Sequence, residues 1–293
     1  MKLMSINNAI KFLVFGSEGM AGNIITTYLI EQGHDVTGFS RGKSDTYASI
    51  IGDVTDRELV ERVVKEGGYD TIVNCIGILN QFAEENHEEA VYLNSYFPHL
   101  LVSLTKSTNT QIIHMSTDCV FSGKKGGYVE TDFPDGDTFY DRTKALGEIN
   151  DDKNLTLRNS IVGPDIKENG IGLLNWFMKQ DVSIKGYTNA MWTGLTTLEL
   201  AKIIEIAAIN KNSGLVNMVH KGSISKFDLL KLFNKYLRDN SVIIEPFEGF
   251  VADKSLVRTN FNLKYEVPDY EIMISEMADW IKKHKSIYPH YKL

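Results

Sequence analysis

A short apolar run that leads into three evenly spaced glycines constrains the fold of this chain more than any other feature. Residues 10–16, IKFLVFG, are rich in Val, Ile and Phe and are typical of a buried strand. Gly16, Gly19 and Gly22 open a helical pattern that continues to Gly33. Such glycines allow a tight bend and a close backbone approach to a pyrophosphate at the helix N-terminus. The pattern predicts a dinucleotide site; a glycine-rich connection without a ligand is the alternative.

Apolar strand patterns alternate with helical patterns through the first half of the chain. Strands that alternate with helices at this spacing indicate a parallel sheet with helices on both faces. The sequence therefore predicts an α/β fold, with a Rossmann-type doubly wound parallel sheet and a smaller, mostly helical C-terminal substrate lobe. After the first strand, strands are predicted at 35–39, 69–77, 110–118 and 154–163. A further strand, the third in chain order, is predicted directly before the segment GDVTD at 52–56.

The strand and helix rhythm changes after Gly163, which suggests a second lobe. We expect residues 1–163 to form an NADP-binding Rossmann domain, with 190–210 returning to it. Residues 164–189 and 211–293 would form the substrate-binding lobe. Four helices are predicted in this half, at 170–180, at 196–209 with Thr196 as N-cap and Glu199 at N3, at 225–237 with Ser225 and Asp228 in the same roles, and at about 269–284.

Charge and cysteine content exclude several classes of protein. The formal charge is −7 and no long basic run occurs, which argues against nucleic acid or an anionic membrane as the main partner. Cys75 and Cys119 lie in apolar stretches and have no C-x-x-C partner, and the histidines lack ligand spacing, so no metal site is expected. We find no signal peptide and no run of 18 apolar residues, and therefore expect a cytoplasmic protein.

The ends of the second and third strands bear on the choice of cofactor. Binders of NAD usually place an acid after the second strand to hold the ribose 2′-hydroxyl. Here Ser40, Arg41 and Lys43 follow, and no acid occurs before Asp45. Donors and positive charge suit a 2′-phosphate, so NADPH is favoured and NADH is the alternative, although the segment could also be a solvated basic turn. Asp53 is the candidate for the adenine contact, or a plain turn residue.

A tyrosine and a lysine are spaced one helical turn apart beyond the fifth strand. Tyr140 and Lys144 would be neighbours on a helix, and a nearby ammonium would lower the pKa of a phenol. Ser116 and Thr117 end the fifth strand, at the carboxyl edge where ligands bind in open α/β sheets. The fourth strand ends at that edge too, in Cys75, Ile76 and Gly77. A hydroxyl at a strand end together with Tyr-x-x-x-Lys predicts an acid-base site; a surface Tyr–Lys contact is the alternative.

These motifs resemble an extended short-chain dehydrogenase/reductase, and more narrowly the dTDP-4-dehydrorhamnose reductase family of sugar-nucleotide reductases. The resemblance spans residues 16 to 201, in GSEGMAG, STDCVFSG, YDRTKALGE, LTLRNSIVG and WTGLTTLELA. It implies NADPH as cofactor and a nucleotide sugar as substrate, and a homodimer would be common in the superfamily. The cofactor-binding residues that it and the motifs suggest are Gly16, Glu18, Gly19, Met20, Gly22, Ser40, Arg41, Asp53, Val54, Cys75, Ile76, Gly77, Tyr140 and Lys144.

The resemblance also implies a role for each active-site residue. Thr117 would hydrogen-bond the substrate keto oxygen, and Tyr140 would protonate it as the nicotinamide delivers hydride. Lys144 would hold the nicotinamide ribose and lower the pKa of Tyr140. Asp118 would lie beside the substrate, and Trp192 or its neighbours would cover the sugar. The remaining residue that the resemblance suggests for the substrate site is Asn94.

Two departures from the family pattern leave the substrate open. Cys119 stands where the rhamnose enzymes usually have tyrosine, and Ile161 where they often have tryptophan. We expect NADPH-dependent reduction of the 4-keto group of a nucleotide-linked 6-deoxyhexose, in the supply of deoxysugar for cell-surface polysaccharide; an amino sugar is equally consistent. The alternatives are a sugar-nucleotide epimerase or dehydratase of the same fold, or a non-catalytic NADP-binding regulatory subunit.

Overall fold

Strands and helices alternate along the chain in the computed structural model, which describes residues 9–44 and 46–291. Asp45 lies outside the described residues. The elements are β1 (Lys11–Phe15), α1 (Met20–Glu31), β2 (Asp35–Ser40), β3 (Ser49–Ile51), α2 (Arg57–Glu66), β4 (Thr71–Asn74), α3 (Asn80–Glu85), α4 (His87–Ala90), a π-helical turn (Val91–Tyr96), α5 (Phe97–Leu104), β5 (Gln111–Met115), a 3₁₀ turn (Asp118–Val120), α6 (Phe139–Leu146), β6 (Leu155–Arg158), β7 (Ile161–Val162), α7 (Leu173–Met178), β8 (Ser183–Tyr187), β9 (Ala190–Trp192), β10 (Leu195–Thr196), α8 (Thr197–Ile209), β11 (Gly214–Asn217), β12 (Ile224–Ser225), α9 (Lys226–Leu237), β13 (Ile243–Phe247), β14 (Ala252–Asp253) and α10 (Tyr270–Lys283).

Seven parallel strands form the central sheet, in the order β11-β6-β5-β4-β1-β2-β3. β4 and β6 are buried along their whole length, as expected for strands covered on both faces. The strand order reverses between β1 and β4, and this crevice is where ligands bind in doubly wound sheets. The predicted fold class is confirmed.

Helices cover both faces of the sheet. α1, α8 and α10 share one large apolar core with β1, β5 and β6, whereas α2 and α5 pack on the other face. The predicted N-caps are present: the Thr196 side chain accepts the Glu199 N–H, and the Ser225 side chain accepts the Asp228 N–H. These caps fix where α8 and α9 begin.

The second half of the chain departs from the predicted boundaries in two places. Residues 214–217 form β11, which pairs with β6 in the central sheet, so their assignment to the substrate lobe is wrong. The predicted strand 154–163 is two strands, because β7 turns away from the central sheet and pairs with β10. α8 packs against α1, whereas residues 190–192 form β9 in a small sheet with β12 and β14. The other boundaries between the lobes stay a prediction.

Candidate active site

The glycine turn after β1 is closed against the ends of β2 and β4. Gly16 has φ +79° and donates its N–H to the Phe39 carbonyl at 2.9 Å. A β-carbon at Gly16 would lie 3.3 Å from the Cys75 carbonyl oxygen, and one at Gly22 would overlap the Gly16 carbonyl oxygen. Gly19 is the N-cap of α1 and provides no side-chain cap, so the first N–H groups of this helix are left for another partner. The turn has the shape that a pyrophosphate requires.

Tyr47 closes one side of this turn and was missed by the sequence reasoning. Its hydroxyl donates to the Ser17 carbonyl at 2.9 Å and to the Glu18 carboxylate. Burial and the bond to Glu18 raise the pKa of Tyr47 to about 12. Its ring lies over Gly38, where a β-carbon would come within 2.7 Å of the Tyr47 ring. No local motif marks Tyr47, because it reaches the turn across 30 residues of chain.

The predicted ribose and adenine residues lie together at the ends of β2 and β3. The buried Ser40 hydroxyl donates to the Gly42 carbonyl at 2.6 Å, and Arg41 is exposed. The Asp53 carboxylate accepts the Thr55 N–H at 2.9 Å, and this bond lowers the pKa of Asp53, with Arg41 acting in the same direction. Val54 next to it is buried. Arg41 thus lies close enough to Asp53 to affect the pKa of that carboxyl.

The segment after β4 runs alongside the glycine turn. The Ile76 side chain would lie 3.1 Å from a β-carbon at Gly16, and the Ile76 N–H donates to the Asn74 side chain at 3.1 Å. A β-carbon at Gly77 would lie 3.9 Å from Lys144 Nζ. Burial raises the pKa of the Cys75 thiol to about 12. Met20, at the start of α1, extends toward the second half of the chain, near Gly172.

Helix α6 carries the predicted tyrosine and lysine to the carboxyl edge of the sheet. Thr138 and Asp141 form a full capping box at its start, which fixes where the helix begins. Lys144 is buried and donates from Nζ to the Met115 carbonyl at 2.6 Å. Burial lowers the pKa of Lys144 to about 8, against the opposing effect of Glu148. Lys144 therefore lies between β4 and β5, directly beyond the turn at Gly77.

Thr117 and Asp118 form the tight turn that follows β5. The Thr117 hydroxyl accepts the Cys119 N–H at 3.1 Å and donates to Asp118 Oδ1 at 3.2 Å. Burial raises the pKa of Asp118, while Lys254 and Lys226 act to lower it. The site therefore holds a carboxylate that a second-half cation partly balances.

Tyr140 is buried, but its pKa does not move in the predicted direction. Burial raises the pKa of Tyr140 well above its usual value, Cys119 and Asp118 add to the rise, and hydrogen bonding with Thr117 opposes it. The expectation that Lys144 lowers the pKa of Tyr140 is wrong in this structure, because the ammonium is directed to the Met115 carbonyl. Tyr140 thus stays a neutral phenol, with Thr117 and Cys119 as neighbours.

Asn94 is a support of the site and not a substrate contact in this structure. It lies in the π-helical turn, fully buried. Its Oδ1 accepts the Ile78 N–H at 3.0 Å, and its Nδ2 donates to the Ile78 carbonyl at 3.0 Å and to Thr143 Oγ1 at 3.1 Å. Because both ends of the amide are occupied by protein, the predicted contact with the sugar is corrected: Asn94 joins the segment after β4 to α6.

Trp192 is also not placed to cover a sugar. It lies in β9, is 5% exposed and belongs to the main apolar core. Its ring packs 5.7 Å from the Tyr270 ring, and its carbonyl accepts the Tyr270 hydroxyl at 3.2 Å. The predicted role of Trp192 is corrected to core packing.

Lys254 was not predicted, although it reaches the site from beyond β14. Its Nζ lies 3.9 Å from Asp141 Oδ2, and its side chain packs at Gly123. It also acts to lower the pKa of Asp118 and of the Cys119 thiol, which burial raises to about 12. No sequence motif predicts that Lys254 lies near Asp141, because Lys254 follows Asp141 by more than 100 residues.

Two absences hold for the described part of the chain. Within residues 9–44 and 46–291, no group of three or more His, Cys, Asp or Glu side chains could hold a metal ion. None of the helices in these ranges combines the length and the apolar character needed to cross a membrane.

The sheet order, the glycine turn and the α6 Tyr–Lys pair define a short-chain dehydrogenase/reductase type of Rossmann protein. A family model described as the RmlD substrate binding domain matches residues 10–246. The chain belongs to this family.

Named relatives and solved structures agree with this family. The chain is 34% identical over 158 residues to the probable low-salt glycan biosynthesis reductase Agl14 of Haloferax volcanii, which covers 51% of this chain and 52% of that protein. It is 27% identical over 144 residues to dTDP-4-dehydrorhamnose reductase of Mycobacterium tuberculosis, covering 47% and 44%. These matches thus span about half the length of the curated relatives. The fold resembles dTDP-4-dehydrorhamnose reductase of Bacillus anthracis in complex with NADP, with a TM-score of 0.77, 20% identity and coverage of 93% and 99%.

Proposed function

We propose that this protein is an NADPH-dependent reductase that reduces the 4-keto group of a nucleotide-linked 6-deoxyhexose. One observation carries the proposal. Thr117, Tyr140 and Lys144 come from two different elements at one carboxyl edge of the sheet, and Lys144 Nζ would lie 3.9 Å from a β-carbon at Gly77, which follows β4 beside the glycine turn. A hydroxyl, a phenol and an ammonium at that position suit the reduction of a carbonyl group.

The residues around the glycine turn fit a dinucleotide. Gly16 and Gly22 allow the tight turn, because a β-carbon at either position would meet the backbone of the turn or of the segment after β4, and the uncapped start of α1 supplies N–H donors. Ser40 and the exposed Arg41 would hold the 2′-phosphate, so NADPH is the proposed cofactor and NADH the alternative. When bound, the nicotinamide would supply the hydride.

Tyr140 is suited to donate a proton. A ketone oxygen becomes negatively charged during reduction, and a positioned acid that protonates it typically accelerates reaction by about 10²- to 10⁴-fold. The raised pKa of Tyr140 keeps its hydroxyl protonated at neutral pH. The Thr117 hydroxyl would hold the same oxygen.

The proposed class of substrate is based on the residues around Thr117, Tyr140 and Lys144 and on the names of the relatives. Asp118 and Cys119 border the position that a sugar would take next to Tyr140, and Lys254 brings a cation that suits a diphosphate. Two of the reported relatives are named dTDP-4-dehydrorhamnose reductase. A nucleotide-linked 4-keto-6-deoxyhexose agrees with both, whereas the base and the exact sugar are left to experiment.

The test is cofactor consumption with a panel of substrates. The purified protein is incubated with NADPH and with nucleotide-linked 4-keto-6-deoxyhexoses that differ in base and sugar, and loss of nicotinamide absorbance is followed. The matching 4-hydroxy sugar nucleotides serve as controls. We expect stoichiometric NADPH oxidation with at least one ketosugar and none with the controls.

The alternatives give different results in the same assay. An epimerase would convert its sugar with no net loss of NADPH, and a regulatory subunit would bind NADPH without turnover of any sugar. Either result would overturn the proposed function.

A further inference from the structure

A buried ion pair lies directly behind the candidate active site and has no part in the proposed chemistry. Arg158 at the end of β6 donates to Glu148 through Nε at 2.8 Å and through Nη2 at 2.6 Å. The two side chains are only 2% and 10% exposed. Glu148 lies just beyond the Gly147 C-cap of α6, the helix that carries Tyr140 and Lys144.

Ser116 connects this ion pair to the strand that presents Thr117. Its hydroxyl donates to Glu148 Oε1 at 2.6 Å. The residue before it, Met115, accepts Lys144 Nζ at 2.6 Å through its carbonyl. The end of β5 is therefore tied to α6 at two consecutive residues, immediately before the turn that carries Thr117.

Arg158 extends the connection to the edge of the sheet. Its Nη1 lies 3.4 Å from Asn217 Oδ1 at the end of β11, and its guanidinium lies over the Phe121 ring at 4.9 Å from the ring centre. The Asn217 side chain in turn donates to the Tyr128 carbonyl at 3.0 Å. Charge and planar geometry thus hold the ends of β5, β6 and β11 to the end of α6.

Stability alone is a poor reason for such a pair. Removing two charges from water is costly, and apolar residues of similar volume often stabilise a protein as well as a buried ion pair does. An ion pair differs from an apolar pair in two respects: its bidentate geometry is specific, and it leaves a carboxylate with a fixed position. Both properties bear on the residues next to it.

We propose that Ser116, Glu148 and Arg158 are positioning residues of the active site. They fix Thr117 relative to Tyr140 and Lys144, and Glu148 places a negative charge near the Lys144 ammonium. The inference rests on the proposed reduction for its kinetic consequences, whereas its effect on Lys144 can be measured without turnover.

Glu148 is the anion that most affects Lys144. Burial lowers the pKa of Lys144 to about 8, and Glu148 and then Cys75 oppose this effect. Burial also raises the pKa of Cys75 to about 12, so this thiol is uncharged near neutral pH. Burial and Lys144 lower the pKa of His114, on β5, so this imidazole is uncharged as well. Arg158 is paired with Glu148, so it is the cation that stands next to this anion.

The experiment uses three variants of the full chain. Ser116→Ala removes only the hydroxyl that joins Glu148 to β5. Glu148→Met with Arg158→Met removes both charges and keeps the side-chain volume. Thr105→Ala is the matched control, because the buried Thr105 hydroxyl bonds only main-chain carbonyls of α5. Turnover, KM, NADPH affinity by fluorescence and thermal unfolding are measured for each.

We expect kcat of the Ser116→Ala variant and of the double variant to fall by about 10- to 100-fold, since small displacements of catalytic groups have effects of this size. The NADPH affinity and the unfolding temperature of both variants should stay near those of the wild type. The Thr105→Ala control should keep the kcat, the NADPH affinity and the unfolding temperature of the wild type. If a folded Ser116→Ala variant and a folded double variant keep the kcat of the wild type, the positioning role is wrong. If the double variant does not fold, Ser116→Ala decides the question.

The charge of Lys144 provides a second measurement. In protein labelled with ¹³C-lysine, the Lys144 signal is assigned by its loss in Lys144→Met and then titrated with pH. The apparent pKa should fall from wild type to the double variant, and further in Glu148→Gln, where Arg158 stays charged without its partner. An unchanged Lys144 pKa in all variants would contradict the inference. A wild-type protein that reduces no ketosugar would instead refute the proposed function, and the titration would still decide the role of Glu148.

Discussion

Tyr140 and Lys144 are neighbours on one helix, yet their surroundings shift their pKa values in opposite directions. Burial favours the neutral form of each group, so it raises the pKa of the phenol and lowers that of the ammonium. The raised pKa keeps the phenol protonated near neutral pH, and it also makes the phenol a weaker acid than an exposed tyrosine. Lys144 stays mostly charged at pH 7, because its pKa of about 8 lies above that pH.

Removal of the Tyr140 hydroxyl tests its role as an acid. We expect Tyr140→Phe to lower kcat/KM by about 10²- to 10⁴-fold, the contribution that a positioned acid typically makes. NADPH affinity should fall much less than kcat/KM, because the glycine turn and Arg41 are untouched. The measurements are steady-state kinetics and a fluorescence titration with NADPH. A Tyr140→Phe variant with the turnover of the wild type would exclude the phenol as the proton donor.

The lowered pKa of Lys144 predicts the alkaline limit of activity. Lys144 is charged below its pKa of about 8 and loses its proton as the pH rises through that value. Activity that needs the ammonium should therefore be full near pH 7 and decline as the pH rises through about 8. The pH profile of kcat/KM measures this limit, with unfolding checked at each pH. A profile that stays flat to near pH 10, the range of an unperturbed lysine, would show that the charge of Lys144 is not required.

Local motifs identify the candidate residues, whose roles stay predictions, and solvent exclusion accounts for most of the differences between their predicted and observed surroundings. The spacing of Tyr140 and Lys144 and the strand end at Thr117 are properties of neighbouring residues, so the sequence displays them. The pKa of Tyr140 depends on how deeply it is buried, and the role of Trp192 depends on which core surrounds it. These properties arise from packing between distant segments, which no short motif encodes.

At the level of elements, the first turn of α1 is fixed by steric limits. Gly22 is the third residue of α1, where its α-carbon faces the Gly16 carbonyl and leaves no room for a β-carbon. Helix boundaries elsewhere follow from caps such as Thr196 and Ser225, which the sequence predicts well because a cap involves only four residues. The π-helical turn before α5 was not predicted, since it has no comparable pattern.

Gly22→Ala tests the steric limit at this turn. The added methyl group would overlap the Gly16 carbonyl oxygen, so helix and turn must separate. Overpacking of this kind typically costs about 1–3 kcal/mol of unfolding free energy. We expect NADPH affinity to fall as well, because the pyrophosphate site is the part that moves. Chemical denaturation and NADPH titration measure both effects. Gly42→Ala is the control for the unfolding free energy, since a β-carbon there meets open space. Equal effects of the two substitutions on the unfolding free energy would contradict this account of the turn.

At the level of the whole molecule, the second half of the chain both completes the sheet and reaches the active site. β11 adds the seventh strand, and the segment after β14 brings Lys254 to Asp141. The sequence predicted a separate lobe from residue 211, because four residues of strand between helices carry little periodic signal. A contact such as that of Lys254 joins residues far apart in the chain, and only the folded structure brings them together.

Lys254 should therefore affect the sugar nucleotide more than the cofactor. It lies near Asp118 and Asp141, away from Arg41 and the glycine turn, and its side chain is 28% exposed. Loss of one charge-assisted contact corresponds to about a tenfold change in affinity. We expect Lys254→Ala to raise the KM for the sugar nucleotide about tenfold and to leave NADPH affinity unchanged. Lys231→Ala, an exposed lysine on α9, is the control and should change neither constant. If Lys254→Ala instead weakened NADPH binding and left the KM for the sugar unchanged, the second half of the chain would serve the cofactor, and the proposed position of the substrate would be wrong.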